Sequence, residues 1–470
     1  MIHAQVLDDG LRRTGALVSV KPEVLAKLRA LVETGTDAQL HRINPVAFAK
    51  THGLDRHETV SAFVGASKAG LFSFTWSLTC PLCGSYAHTH GTLGEVTTEF
   101  FCAICNSVSP ASMDSLVEVA FAVHETVRPM KAKFEQPMEG EQWLGTYQNK
   151  SAKLDPEIIA LIDRNKLWSD LVRGASEQTA DVKLTQRRTR VAAITHNSRV
   201  TLDCPVGQQG ATVEIDDEKV TLISYKTAPG ISIRNKGSRE AVLSVSVDIQ
   251  PEDFKRAPVP TVFDGFLSGR DLLCNQAFRD LYGSETLSAG IAVHVENQSV
   301  LFTDLKGSTQ LYDSIGDLRA FALVSEHFKI LLAAVQDCGG AVVKTIGDAV
   351  MATFPETKDG VRAALRMASL LGKFNATSGL PPLSLKIGLH VGPCIVVSSN
   401  GRPDYFGQTV NIAARVQALA EGDELVLTDV ALRASEVGKL LEPHAGRSQM
   451  SQAALKGVAE KVKVHTFQLG

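Results

Sequence analysis

The chain has 470 residues, 44% apolar and 21% charged, which suits two to four domains with ordinary cores and excludes a disordered chain. Against 51 acidic residues stand 48 basic ones, a net charge of −3, so no global pull towards nucleic acid or anionic lipid exists and neither is expected as a partner. The opening MIHAQVLDDGLRRTG lacks a signal-peptide pattern, and no window approaches the roughly 18 apolar residues of a spanning helix; a cytoplasmic protein without membrane contact is expected.

Residues 1–78 read as helical. VKPEVLAKLRALVETG has apolar residues at helical spacing and a terminal glycine. INPVAFAKTHGL, DRHETVSAFVGASKAGL and FSFTW then suggest helix, turn, helix and a short strand. That order fits either a winged-helix arrangement or a small helical bundle. Residues 79–110 hold two cysteine pairs. Residues 111–197 form a mixed connecting region: SLVEVAFAVH as a strand, QPMEGEQWLGTYQNK as a loop, LDPEIIALIDRNKLWSDLV as a helix. From 198 to 257 the pattern switches to period two, in short runs such as RVTLDCPV, ATVEIDD and AVLSVSVDI punctuated by Gly and Asn. This predicts a small antiparallel β domain. Residues 258–296 read as a helical linker.

Residues 297–470 alternate cleanly between strand and helix. SVLFTDL is a strand, LRAFALVSEHFKILLAAVQDCGG a long helix ending in two glycines, and AVVKTIGDAVMATFP two strands joined at IGD. TKDGVRAALRMASLLGKFN is a second helix, and LSLKIGLHVGPCIVVSS a strand or hairpin. TVNIAARVQALA, ELVLTD and the hairpin in LKGVAEKVKVHTFQL follow. The expected class is α+β, with a ferredoxin-like βαββαβ core at the C-terminal end.

Cys80, Cys83, Cys102 and Cys105 read C-x2-C-x18-C-x2-C. Two thiolate pairs at this spacing suit a tetrahedral structural Zn²⁺. The other four cysteines are scattered, so no disulfide framework is expected.

Asp304 ends an apolar strand in FTDLKGST, and Asp348 stands at a hairpin turn in KTIGDAVMA. Carboxylates so placed need a partner, and a pair of Mg²⁺ ions suits them, because Mg²⁺ takes one or two carboxylates plus substrate phosphates. Gly307 and Ser308 open a turn whose backbone N–H groups can cradle phosphates. Asn411 and Arg415 lie one helical turn apart, on one face of a helix.

FTDLKGST, VVKTIGDAVMATF, KIGLHVG, DYFGQTVNIAARV and LKGVAEKVKVHTF, in this order, resemble the catalytic domain of the class III nucleotidyl cyclases. The resemblance implies a head-to-tail homodimer with active sites at its interface. It implies that Asp304, the Leu305 carbonyl and Asp348 hold two Mg²⁺ or Mn²⁺ ions, and that Lys344 and Asp404 recognise the base. It assigns Asn411 to the ribose, Arg415 to the α-phosphate and Lys456 to the triphosphate. In this family Lys with Asp or Thr is typical of adenylyl cyclases and Glu with Cys of guanylyl cyclases. A Lys donor meets adenine N1 and an Asp acceptor takes its N6–H₂, whereas guanine presents the opposite pattern. ATP is the expected substrate and 3′,5′-cyclic AMP the product. Phe406 stands where many relatives carry Trp.

The segment from RINPVAFAKTHGL through WSLTCPLCG to SLVEVAFAVH resembles a family of unknown function found ahead of bacterial cyclase domains. That implies an N-terminal regulatory module whose ligand or protein partner the sequence does not name. The competing readings are a zinc-ribbon regulator whose cyclase-like domain only binds nucleotide or dimerises, and a guanylyl cyclase.

Overall fold

The structure is a computed structural model that describes residues 2–129, 149, 151–255, 261–263 and 265–469. Most of the loop expected at 136–150, and the start of the linker expected at 258, lie outside the described residues. Among the described residues no helix is long and apolar enough to cross a membrane.

The first 68 residues form helices Ala4–Leu17, Pro22–Thr34, Asp37–Leu40, Pro45–His52 and Arg56–Lys68. Their ends carry local signals. Asn44 caps Pro45–His52 through Val46 N at 2.9 Å, and Gly53 closes it at φ 64°, a left-handed position that favours glycine. Asp55 caps the next helix through Glu58 N at 2.8 Å. These helices pack on an antiparallel sheet ordered Tyr86–His90, Phe72–Thr79, Val117–Val123, around fully buried Phe63, Trp76 and Phe121. The region is therefore not an independent helical bundle, because its apolar face is completed by strands from residues 72–123.

The helix expected over LDPEIIALIDRNKLWSDLV stops at Asn165. Lys166–Val172 is a strand, paired antiparallel with Ala241–Val247 in the register Trp168↔Val245 and Leu171↔Val242. The β unit thus begins at 166, not 198. It has eight strands in two four-stranded sheets, which share a core of Val172, Val191, Leu202, Val213, Ile231, Ile233 and Leu243. The strand pairs are antiparallel, as expected, except Gly210–Ile215 with Gly230–Asn235, which is parallel. Residues 111–197 do not form a separate connecting region, since they supply strands to both neighbours.

The first strand of the C-terminal region starts at Val293, inside the expected linker, and runs to Leu305. The main sheet is ordered Ala341–Ile346, Ala349–Phe354, Val293–Leu305, Leu385–Ser399, Glu424–Thr428, Val462–Gln468, Ser448–Ala453; Arg402–Phe406 pairs with Leu385–Ser399 off this path. That return hairpin turns at Asn400 (φ 52°) and Gly401 (φ 70°), the Asn-Gly pair that two-residue hairpins favour. Alternation splits the strands between two faces. Leu301, Leu305, Val350, Phe354, Ile387 and Leu389 pack with helices Asp317–Asp337 and Thr357–Thr377. Val300, Phe302, Met351, Val396 and Tyr405 join one continuous core with Phe63, Trp76, Phe121 and Phe278. The N-terminal half is thus fused to one face of the C-terminal sheet.

Candidate active site

Asp304 lies near the end of strand Val293–Leu305, and Asp348 follows Gly347 (φ 63°) in the turn to Ala349–Phe354. The register Thr303↔Val350 puts these two ends side by side, and Val350 N donates to Thr303 Oγ1 at 3.2 Å. Burial first, and then the charge of Asp348, hold the Asp304 carboxyl above its usual range, while Lys386 opposes. Asp348 Oδ2 is buried without a hydrogen-bond partner. Two facing carboxylates, one with an orphaned oxygen, fit a divalent cation. Gly307 takes φ 71° at the start of helix Ser308–Ile315, and Lys306 N is tied to Ser384 O at 2.9 Å.

His327 was not singled out by sequence reasoning. It is fully buried on helix Asp317–Asp337, with the Asp348 backbone against its ring. Burial pushes it down to about 4, with Asp348 opposing, so a neutral imidazole lies near the aspartate turn. The available signal was a histidine within the apolar stripe Leu323, Val324, Leu331. His390 is buried and bonds Thr428 Oγ1 through Nδ1 at 2.8 Å.

Lys344 and Asp404 come from strands that do not pair with each other, Ala341–Ile346 and Arg402–Phe406. Their side chains meet, Nζ to Oδ2, at 2.6 Å, with Lys344 40% and Asp404 16% exposed. Helix Gln408–Gln417 carries exposed Asn411 and half-buried Arg415. It lies close against the sheet, since a Cβ on Gly388 would stand 2.2 Å from Gln417 N. A Cβ on Gly457 would stand 3.5 Å from Arg415 Nη1, so the Lys456-Gly457 turn and Arg415 are neighbours. Three clusters result: Asp304 with Asp348, Lys344 with Asp404, and Arg415 beside Lys456-Gly457. Among the described residues, no ion pair joins either metal-type aspartate to Lys344, Arg415 or Lys456.

The four cysteine sulfurs lie within 4.8 Å of one another, all buried and none in a disulfide. Cys80 to Cys105 and Cys83 to Cys102 are each 3.8 Å. Sulfurs about 2.3 Å from a tetrahedral centre stand about 3.8 Å apart, so the set fits a closed four-thiolate metal site. His88 and His90 lie on strand Tyr86–His90 with rings stacked at 5.8 Å.

Residues 292–470 match the family model of the adenylate and guanylate cyclase catalytic domain. The C-terminal region belongs to that family. Residues 5–151 match a family of unknown function. The cyclase region is similar to an adenylate cyclase of Anabaena cylindrica, 30% identical over 166 residues, covering 32% of this chain and 33% of that one. It is also similar to guanylate cyclase 2G of Mus musculus, 32% identical over 149 residues, covering 28% of this chain and 14% of that one. The chain thus spans a third or less of the length of these curated relatives. An adenylyl cyclase structure from P. aeruginosa aligns at 22% identity and a TM-score of 0.31, covering 37% of this chain and 95% of that one.

Proposed function

We propose that the cyclase domain is an adenylyl cyclase converting ATP to 3′,5′-cyclic AMP and pyrophosphate, and that its N-terminal half is a regulatory module. The observation that carries the substrate is the Lys344–Asp404 pair at 2.6 Å. Held against each other, the two side chains offer one donor and one acceptor side by side. That pattern complements adenine N1 and N6–H₂ and mismatches guanine.

The two aspartates and the Leu305 carbonyl are the residues that would hold Mg²⁺ or Mn²⁺, two ions per site. Bound there, the ions supply positive charge that favours the ionised ribose 3′-hydroxyl and neutralises the leaving pyrophosphate. Backbone N–H groups at Gly307 and Ser308 cradle phosphate oxygens. Asn411 orients the ribose. The Arg415 guanidinium, planar and always charged, stabilises charge developing on the α-phosphate, and Lys456 holds the triphosphate. As the family resemblance implies, the site is completed by a second copy, with the aspartates of one chain facing Lys344, Asp404, Asn411 and Arg415 of its partner. Exposed Ile346 (54%) and Phe406 (67%) flank the base pair and support a surface that is buried on dimerisation.

The test is cyclic nucleotide formation by purified protein with ATP or GTP and Mg²⁺ or Mn²⁺. Cyclic AMP in excess is expected; cyclic GTP-derived product alone, or none, rejects the reading. Replacing Lys344 by Glu together with Asp404 by Cys should lower ATP turnover by about 100-fold and raise the GTP to ATP ratio, because two hydrogen bonds are lost and their pattern is reversed.

For the cysteine cluster we propose Zn²⁺ with a structural role. Its sulfurs share a core with Ile158, Leu161 and Ile162 of helix Pro156–Asn165 and with Ile194 and Val242 of the β sandwich. Asn197 Oδ1 also accepts from Ala103 N at 2.9 Å. About one Zn²⁺ per chain is expected by elemental analysis. Cys83→Ser with Cys102→Ser should lose the metal and lower the melting temperature of the N-terminal half, while an isolated 290–470 fragment shows no response to chelator. Protein purified without chelator and free of zinc would reject the assignment.

A further inference from the structure

Helix Gln276–Leu281 lies between the N-terminal half and the Lys344–Asp404 pair. Asn275 caps it, accepting from Phe278 N at 3.1 Å, and its amide donates to Ser61 Oγ at 2.9 Å on helix Arg56–Lys68. One side is aromatic and belongs to the N-terminal core. Phe278 is fully buried, 5.9 Å from the Trp76 ring and 6.1 Å from Phe74, and Tyr282 lies 5.1 Å from Phe74.

The other side holds the catalytic sheet at two points. Gln276 Oε1 accepts the Val342 N–H at 2.7 Å. The Arg279 guanidinium, 9% exposed, donates to Pro403 O at 2.7 Å and to Leu273 O at 3.3 Å. Val342 stands two residues before Lys344, and Pro403 one residue before Asp404. Both strands are peripheral. Among the described residues, Ala341–Ile346 is an edge of the sheet, with a register shift between Val342 and Lys344, and Arg402–Phe406 pairs with one strand only. Each is therefore pinned by the ladder on one side alone, and this helix supplies the second point of attachment for both. A buried guanidinium held by carbonyls is a costly contact to maintain for packing alone. Its value here is positional, since a planar donor fixes the carbonyl it reaches.

We propose that Arg279 and Gln276 are positioning residues for purine recognition, through which the N-terminal half sets the affinity and selectivity of the nucleotide pocket. The proposal rests on the reading of Lys344 and Asp404 as the base-recognition pair. A shift of the Gln276–Leu281 helix relative to the sheet changes the spacing of the two side chains and so the fit to the purine edge.

The test uses the full chain and three variants: Gln276→Met, Arg279→Lys and Arg279→Met. Binding of 3′-deoxy-ATP, which lacks the attacking hydroxyl, is measured beside KM, kcat, the ATP to GTP ratio and the melting temperature. Gln276→Met and Arg279→Met should raise Kd and KM for ATP about 5- to 10-fold, the effect of one lost hydrogen bond, with kcat within about twofold and a lower ATP to GTP ratio. Arg279→Lys should recover part of the loss. An unchanged Kd in folded Gln276→Met protein overturns the proposal, even if Arg279→Met fails to fold, and so does a fall in melting temperature with no change in Kd. Wild-type protein that binds the analogue but cyclises nothing rejects the adenylyl cyclase reading alone, and the Kd comparison still decides this one. Wild-type protein that binds no analogue rejects both.

Discussion

Mixing Asp304→Ala chains with Arg415→Ala chains should restore about a quarter of wild-type cyclase activity, although each variant alone is nearly inactive. Random exchange makes about half of the dimers mixed. In a mixed dimer one interfacial site collects both lesions and the other neither. The division rests on the proposed head-to-tail pairing, in which the aspartates of one chain face Arg415 of the other. A site built within one chain cannot be rescued, since every chain keeps its own lesion. No recovery, with chain exchange verified by tagged pull-down, would reject the interfacial site and leave the cyclase assignment standing.

Asp304→Ala or Asp348→Ala should each reduce turnover by about 1,000-fold or more, because both carboxylates are proposed to serve the same metal-binding centre. The two variants should differ in stability. Removing Asp348 deletes a buried oxygen without a partner and relieves its repulsion on Asp304, so the folded protein without metal should be no less stable by urea denaturation. Near-normal turnover by either variant at saturating Mn²⁺ would overturn the assignment. A marked destabilisation of metal-free Asp348→Ala would argue that its carboxylate holds the turn and not an ion.

Local chemistry made much of the catalytic region legible. Asp304 and Asp348 were readable because carboxylates beside Gly307 and Gly347 interrupt apolar strands, and both glycines take positive φ in the structure. The cysteine spacing anticipated a cluster in which all four sulfurs lie within 4.8 Å. Asn411 and Arg415 lie on the single helix Gln408–Gln417, as their spacing required. The pair Lys344 and Asp404 was readable only through the family resemblance, because 60 residues separate them and neither strand announces its neighbour.

What the sequence by itself determined is therefore what short-range rules govern: capped helices, alternating strands, the Asn400-Gly401 hairpin, the thiol spacing and the identity of the cyclase motifs. Tertiary structure decided the rest. KLWSDLV satisfies both helical and strand spacing, and it becomes a strand because Ala241–Val247, some 70 residues on, offers backbone partners and a shared core. His327 looked like one more position on an apolar stripe until the fold placed it near Asp348. The linker helix Gln276–Leu281 carried no motif. Its importance lies in Gln276 and Arg279 meeting strands 66 and 124 residues away. Burial of a polar group depends on which distant segment closes over it, and hydrogen bonds between such segments leave no periodicity in the chain.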